Sequence, residues 1–193
     1  AGTTDGCAAF LASGAADAGD GVTSLGTTLT LKLLSAKPVF APDFGIYSHR
    51  IGDQWLAGGA SNTGGAAIGK FFSGDDLARL TPLLKPEEPT GLDFYPLAKP
   101  GERFPINDPA FAPRLEPRPA DDRIFFQAIL EGISAIEARA YAKLAELGAS
   151  PLISIRSAGG GAANRAWTAG YFMPIDPNHL AVPASPPPPK TLL

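Results

Sequence analysis

Apolar residues recur at three- and four-residue steps over one long stretch. Phe125, Ile129, Ile133, Ile136, Ala140, Leu144 and Leu147 form a single helical face within Asp121–Gly148. Pro119 precedes the stretch, Asp121 and Asp122 suit its N-terminus, and Gly148 stops it, so the pattern predicts one long core helix. Elsewhere the runs are shorter. Asp20–Leu34 reads as two β runs joined at Gly26, with Thr27 and Thr28 just after the bend. A strand is expected at Gly45–Ile51, a turn at Gly52-Asp53 and a partner strand at Gln54–Ala57. Leu152–Arg156 reads as a short buried strand.

Three shorter helices complete the pattern. Asp5–Ala12 is a small-residue helix with Thr4 or Asp5 near its N-terminus, ended by Gly14 and the Gly19–Gly21 region. Asn62–Phe72 reads as a helix opening after Ser61 or Asn62, and Asp75–Leu84 as another. Glycines cost a helix on the order of 1 kcal/mol each against alanine, so Gly64, Gly65 and Gly69 imply a close approach. Two readings stay open: a ligand against the helix, or tight packing of helix on sheet. From Lys85 to Ala120 prolines recur too densely for any regular element, which predicts a long irregular excursion. Within it, Gly101-Glu102-Arg103-Phe104-Pro105 mixes charge and an aromatic ring in a way that predicts packing onto the body.

Composition narrows the class. With 193 residues, 45% of them hydrophobic and 18% charged, the chain can bury a sizeable core as one domain or as a large half of two. A formal charge of −3 with no Lys/Arg stripe argues against a nucleic-acid partner. No apolar run has transmembrane length, so no membrane partner is expected. The single Cys7 excludes an internal disulfide and fits a reducing compartment, with a cytoplasmic or plastid-stroma location expected. His49 and His179 stand far apart, which disfavours a zinc cluster. Ala1-Gly2-Thr3-Thr4-Asp5 has no initiator methionine and enters inside a strand-to-helix turn, so the sequence reads as a fragment. The residues from Gly170 to Leu193, with Pro186–Pro189, read as an atypical proline-rich tail.

Two turns carry candidate chemistry. A glycine at position 26 lets backbone and ligand approach closely, and the hydroxyls and N–H groups of the following threonines can donate to an anionic oxygen. An ordinary Thr-rich hairpin has the same sequence. The second turn follows a strand: Ser157-Ala158-Gly159-Gly160-Gly161-Ala162-Ala163-Asn164 points backbone N–H groups at a ligand, and the Asn164 amide can read a base edge or a ribose. Three glycines also open dinucleotide-binding turns, but no repeated βαβ pattern and no downstream ribose-binding acid accompany them.

Taken in order, these pieces resemble the C-terminal half of the FGGY-family carbohydrate kinases, from Gly2 to about Trp167. Ser24–Ser35, Tyr47–Gly65, Gly101–Pro119 and Ala158–Asn164 carry the likeness, which is greatest to the plant and cyanobacterial branch described as D-ribulokinase or xylulokinase-like. The resemblance implies a ribonuclease-H-like α/β domain of the actin/hexokinase type, a mixed sheet flanked by helices and incomplete at both ends. It implies a nucleotide-binding lobe over residues 1–169, followed by the atypical tail at 170–193. The implied reaction is ATP-dependent phosphorylation of a pentulose, D-ribulose ahead of D-xylulose, with Mg²⁺ carried on the ATP phosphates.

Carried onto this sequence, the resemblance makes Asp5 the base that accepts the proton of the attacking sugar hydroxyl. It places Gly26, Thr27 and Thr28 at the terminal phosphates, Gly65 and Gly69 on a helix close to the nucleotide, and Gly159, Gly160 and Asn164 at the adenosine. The expected partners are a small-molecule sugar and the missing N-terminal lobe of the same protein, with a homodimer left open. Two features depart from the family. There is no Asp-x-Gly-Thr first phosphate loop, and Gly170–Leu193 does not continue the family's helix, strand and closing helix. They support the alternative of an inactive nucleotide-binding or scaffold fragment.

Overall fold

The hairpin around Gly26 forms as β1 (Asp20–Leu25) and β2 (Leu29–Ser35), whose antiparallel register closes with Leu25 opposite Leu29. The computed structural model describes residues 5–164 and 180–181. β2 continues the ladder to β4 (Gln54–Ser61), and β4 pairs with the edge strand β3 (Tyr47–Ile51), both antiparallel. On its other side β1 pairs in parallel with β5 (Ser154–Ala158), and β5 with the short β6 (Leu180–Ala181). The strand order is β3-β4-β2-β1-β5-β6, a mixed sheet.

Period-two alternation decides what covers each face. Leu29, Leu31 and Leu33 of β2 are fully buried in one cluster with Ile129, Ile133 and Ile136 of α4 (Asp122–Glu146), the long helix that the 3.6-residue pattern predicts. Asp121 caps that helix by accepting from the Arg123 N–H. On the opposite face Val22, Leu34 and Leu56 pack against Cys7 and Phe10 of α1 (Asp5–Ala12). Burying such side chains, at roughly 1.5–3 kcal/mol each, is what holds the three layers together.

Several boundaries differ from the sequence pattern, each for a local reason. β4 runs on through Gly58 and Gly59 to Ser61. Glycine is a weak strand former, but here bulk is excluded: a Cβ at Gly58 would stand 2.6 Å from Lys32 Cδ, and one at Gly59 2.7 Å from the Phe104 ring. The helix expected over Asn62–Phe72 is confined to α2 (Gly65–Gly69). A Ser73–Asp76 capping box starts α3 (Gly74–Leu80), which tightens into a 3₁₀ turn at Thr81–Leu83, where Pro82 lacks the N–H to go on. β5 lies two residues later than expected, and β6 lies inside the stretch read as an irregular tail. The other tail residues lie outside those described.

Residues 85–120 carry no helix or strand, yet they are ordered onto the body. Phe94, Tyr95, Leu97 and Phe104 are buried, and two isolated bridges join Tyr95 to Arg114 and Glu102 to Asp108. α4 holds the near end of the excursion: Gln127 Nε2 donates to the carbonyls of Lys85 and Glu88, and Glu131 accepts from the Thr90 N–H. Gly132 leaves the notch in which the Phe94 carbonyl lies, 2.8 Å from where a Cβ would be.

Candidate nucleotide-binding site

The turn Gly26-Thr27-Thr28 is fixed by backbone hydrogen bonds from the segment after β4. Gly65 N donates to Gly26 O at 2.7 Å, Ala66 N to Thr27 O at 3.0 Å, and Leu29 N to Thr63 O at 2.8 Å. Gly64, at φ +132°, brings its backbone against Thr28, where a Cβ would stand 2.8 Å from the Thr28 carbonyl carbon. The first N–H groups of α2 are therefore spent on the turn itself. What the turn presents outward is Thr27, which is exposed and whose N–H and hydroxyl donate to no partner among the described residues.

The second turn reaches the first because β5 runs parallel to β1, with Ser24 beside Ala158. Gly159, at φ +80°, turns the chain so tightly that a Cβ would stand 2.9 Å from Leu25 O. The chain then forms a 3₁₀ turn over Gly160–Ala163, and Gly161 lies on the Leu25 side chain, with 2.6 Å from its absent Cβ to Leu25 Cβ. Asn164 Nδ2 reaches Thr81 Oγ1 at 3.5 Å, which links this turn to the end of α3.

Between the two turns, α3 and α4 lies a cavity of about 750 Å³, within the roughly 300–1,000 Å³ usual for small-molecule sites. Its walls are apolar: Leu25, Ile68, Leu77, Pro82, Phe126 and Leu130. Polar groups sit among them at Thr27, Thr81 and Asn164, and none of the described lining residues is charged. Open space, with no atom within 4 Å of a would-be Cβ, lies beside Gly69 and Gly160. The arrangement suits a ligand with a flat apolar body and an anionic end held by N–H and O–H donors.

Of the predicted site residues, Gly26, Thr27, Gly65, Gly69, Gly160 and Asn164 line this one cavity. Thr28 and Gly159 do not. The Thr28 carbonyl accepts from Gly26 N at 3.2 Å as the chain turns into β2, and Gly159 serves the tight turn behind Leu25. Asp5 begins α1, on the sheet face opposite α4; Gly2, Thr3 and Thr4 lie outside the described residues, as do Arg165, Ala166 and Trp167. The sequence reading did not assign Gly161, Thr81 or the wall residues Leu25, Ile68, Leu77, Pro82, Phe126 and Leu130 to the site. Phe126 and Leu130 flank the predicted core stripe of α4 by one position, so a wider stripe was the available signal.

Behind β1, Thr23 hydrogen bonds to the Tyr141 hydroxyl at 2.9 Å and to Glu137, both on α4. Burial pushes the Glu137 carboxyl up to about 7, partly offset by the Thr23 hydrogen bond. At the other end of β1, Asp20 accepts from Ser154 Oγ and from the N–H groups of Ala16 and Asp17, with Arg156 at 3.3 Å. Among the described residues no group of three His, Cys, Asp or Glu could hold a metal ion, and no helix is long and apolar enough to cross a membrane.

No family model matches the chain. Its architecture is similar to that of a xylulose kinase from Brucella ovis, with a TM-score of 0.70 at 24% identity over 85% of this chain and 35% of that one. A xylulose kinase from Bifidobacterium adolescentis gives 0.64 at 24% identity over 85% and 33%, and a glycerol kinase from Plasmodium falciparum, solved with ADP, gives 0.59 at 18% over 81% and 33%. The fold is that of the actin- and hexokinase-like kinases. The chain spans about a third of the length of the solved kinases it matches.

Proposed function

We propose that residues 1–169 are the C-terminal, nucleotide-binding lobe of an FGGY-family carbohydrate kinase. The complete enzyme phosphorylates a pentulose, D-ribulose ahead of D-xylulose. The observation that carries this reading is the convergence of the Gly26-Thr27 turn and the Gly160-Gly161 turn on one apolar cavity, within a fold shared with solved sugar kinases.

The residues present fit a purine nucleotide. Apolar walls at Ile68, Leu77, Phe126 and Leu130 take the base, and Asn164 supplies an amide to read its edge or the ribose. Gly26 keeps the turn open to close approach, and the Thr27 N–H and hydroxyl donate to phosphate oxygens. ATP supplies the phosphoryl group, with Mg²⁺ carried on its phosphates and completed by water. Asp5 accepts the proton of the sugar hydroxyl. A carboxylate is a weak base, but a loose phosphoryl transition state asks mainly for positioning and charge stabilisation.

The test is an ADP-release assay with D-ribulose and D-xylulose on the polypeptide isolated from its source cell, together with its intact mass. Turnover of D-ribulose by a polypeptide well above 19.9 kDa is the expected result. ATP binding without turnover of either sugar would select the second reading, a nucleotide-binding scaffold. Failure to bind ATP would overturn both.

A further inference from the structure

Glu102 belongs to the irregular excursion and does not line the cavity, yet it is 2% exposed and surrounded by donors. Its Oε2 accepts from Ser61 Oγ at 2.5 Å and from the Tyr95 hydroxyl at 2.9 Å. Its Oε1 accepts from the N–H groups of Asn62 at 2.7 Å, Arg103 at 2.9 Å and Phe104 at 3.4 Å. Among the described residues no lysine or arginine is ion-paired with it. Burying a carboxylate without a countercharge is costly, and only a full set of hydrogen bonds makes it tolerable. Burial, with the Glu102 carboxylate beside it, pushes the Tyr95 phenol far above its ordinary range, so Tyr95 stays a donor.

What this cluster holds is the end of β4. Ser61 Oγ, which donates to Glu102, also accepts from Thr63 N at 3.1 Å. Thr63 O in turn accepts from Leu29 N, and two residues further on Gly65 N and Ala66 N hold the carbonyls of Gly26 and Thr27. A continuous set of hydrogen bonds thus runs from Glu102 to the Thr27 turn. Among the described residues no hydrogen bond links Glu102 or its donors to the side chains of Leu77, Phe126 or Leu130, which form the apolar walls on α3 and α4.

We infer that Glu102 is a positioning residue for the phosphate-facing turn and leaves the base-binding part of the cavity unaffected. This rests on the nucleotide reading above. It predicts a separation that a general folding role would not produce: loss of Glu102 weakens binding of the phosphates while binding of the nucleoside is kept.

The experiment uses the full 193-residue chain, with calorimetric titration of ATP and of adenosine and with hydrogen exchange at backbone amides. Glu102→Ala is expected to speed exchange at Gly65 and Ala66 and to weaken ATP about tenfold, the effect of roughly one net hydrogen bond, with adenosine unchanged. Glu102→Gln restores most of both, because its amide oxygen still accepts from the three N–H groups while the two hydroxyls rotate to accept from its NH₂. Unchanged ATP affinity in Glu102→Ala, or parallel loss of ATP and adenosine, overturns the inference alone. If Glu102→Ala does not fold, Ser61→Ala decides: it removes only the hydroxyl between Glu102 and Thr63, and must show the same separation at smaller size. A wild-type chain that binds no ATP overturns the nucleotide reading, and the inference with it.

Discussion

The backbone N–H of Gly65 donates to the carbonyl oxygen of Gly26 across 2.7 Å, and a Cβ at position 65 would stand 2.6 Å from that same oxygen. The contact is backbone on backbone, so no side chain can yield. Gly65→Ala is expected to cost about 1–3 kcal/mol, in the range of overpacking. Gly69→Ala meets nothing within 4 Å and gains helix propensity, so it should be neutral or mildly stabilising. Urea unfolding of the two variants checks the contrast; equal effects would contradict it.

Glu137 makes stability depend on pH in a direction opposite to most carboxylates. Burial raises it to about 7 from an ordinary 4.5, so the folded chain holds a proton that the unfolded chain gives up. Its contribution is fully present below about 4.5 and is lost as pH rises through 7, on the order of 3 kcal/mol in all. Glu137→Gln should therefore match the wild type near pH ~5 and exceed it by up to that amount near pH ~8. Denaturant midpoints at the two pH values measure it.

Asp20 works the other way. Burial opposes its charge, but hydrogen bonds from Ser154 and the Ala16 and Asp17 amides, then the Arg156 guanidinium, hold it down at about 2 against 3.8. Its contribution is present above 3.8 and lost as pH falls through 2. Asp20→Asn should destabilise by about 2 kcal/mol at neutral pH, and the difference should vanish near pH ~2. A constant difference across that range would show that shape, not charge, matters at this position.

Asp5→Asn tests the proposed base in the complete enzyme. Turnover should fall by at least about a hundredfold, the lower end of what a general base contributes, with ATP affinity unchanged. Near-normal turnover would remove Asp5 from that role.

What was legible in the sequence was what repeats locally. The stripe from Phe125 to Leu147 has one explanation, a helix over a core, and the structure has α4 there. The bend at Gly26 joins two short runs read as strands, and the structure has β1 and β2 there. The end of β4 was hidden, because Gly58 and Gly59 are small on account of Lys32 and Phe104, both distant in sequence. Glu102, Gln127 and Glu131 likewise look like ordinary polar residues until their partners, some forty positions away for each, are beside them. Gly159 and Gly161 were visible as glycines, but their common neighbour Leu25 was not.

The parallel pairing of β1 with β5 also sets an order of assembly. Asp20 and Ser154 lie 134 positions apart in the chain yet side by side in the sheet. A chain made from its N-terminus can close the ladder from β1 to β4 early, since those strands are joined by short connections. Leu25 then waits without Gly159 and Gly161 against it until most of the chain has left the ribosome. The cavity is thus walled in only once β5 and its following turn have emerged, and a nascent chain arrested before β5 exposes that apolar surface to whatever chaperone attends it.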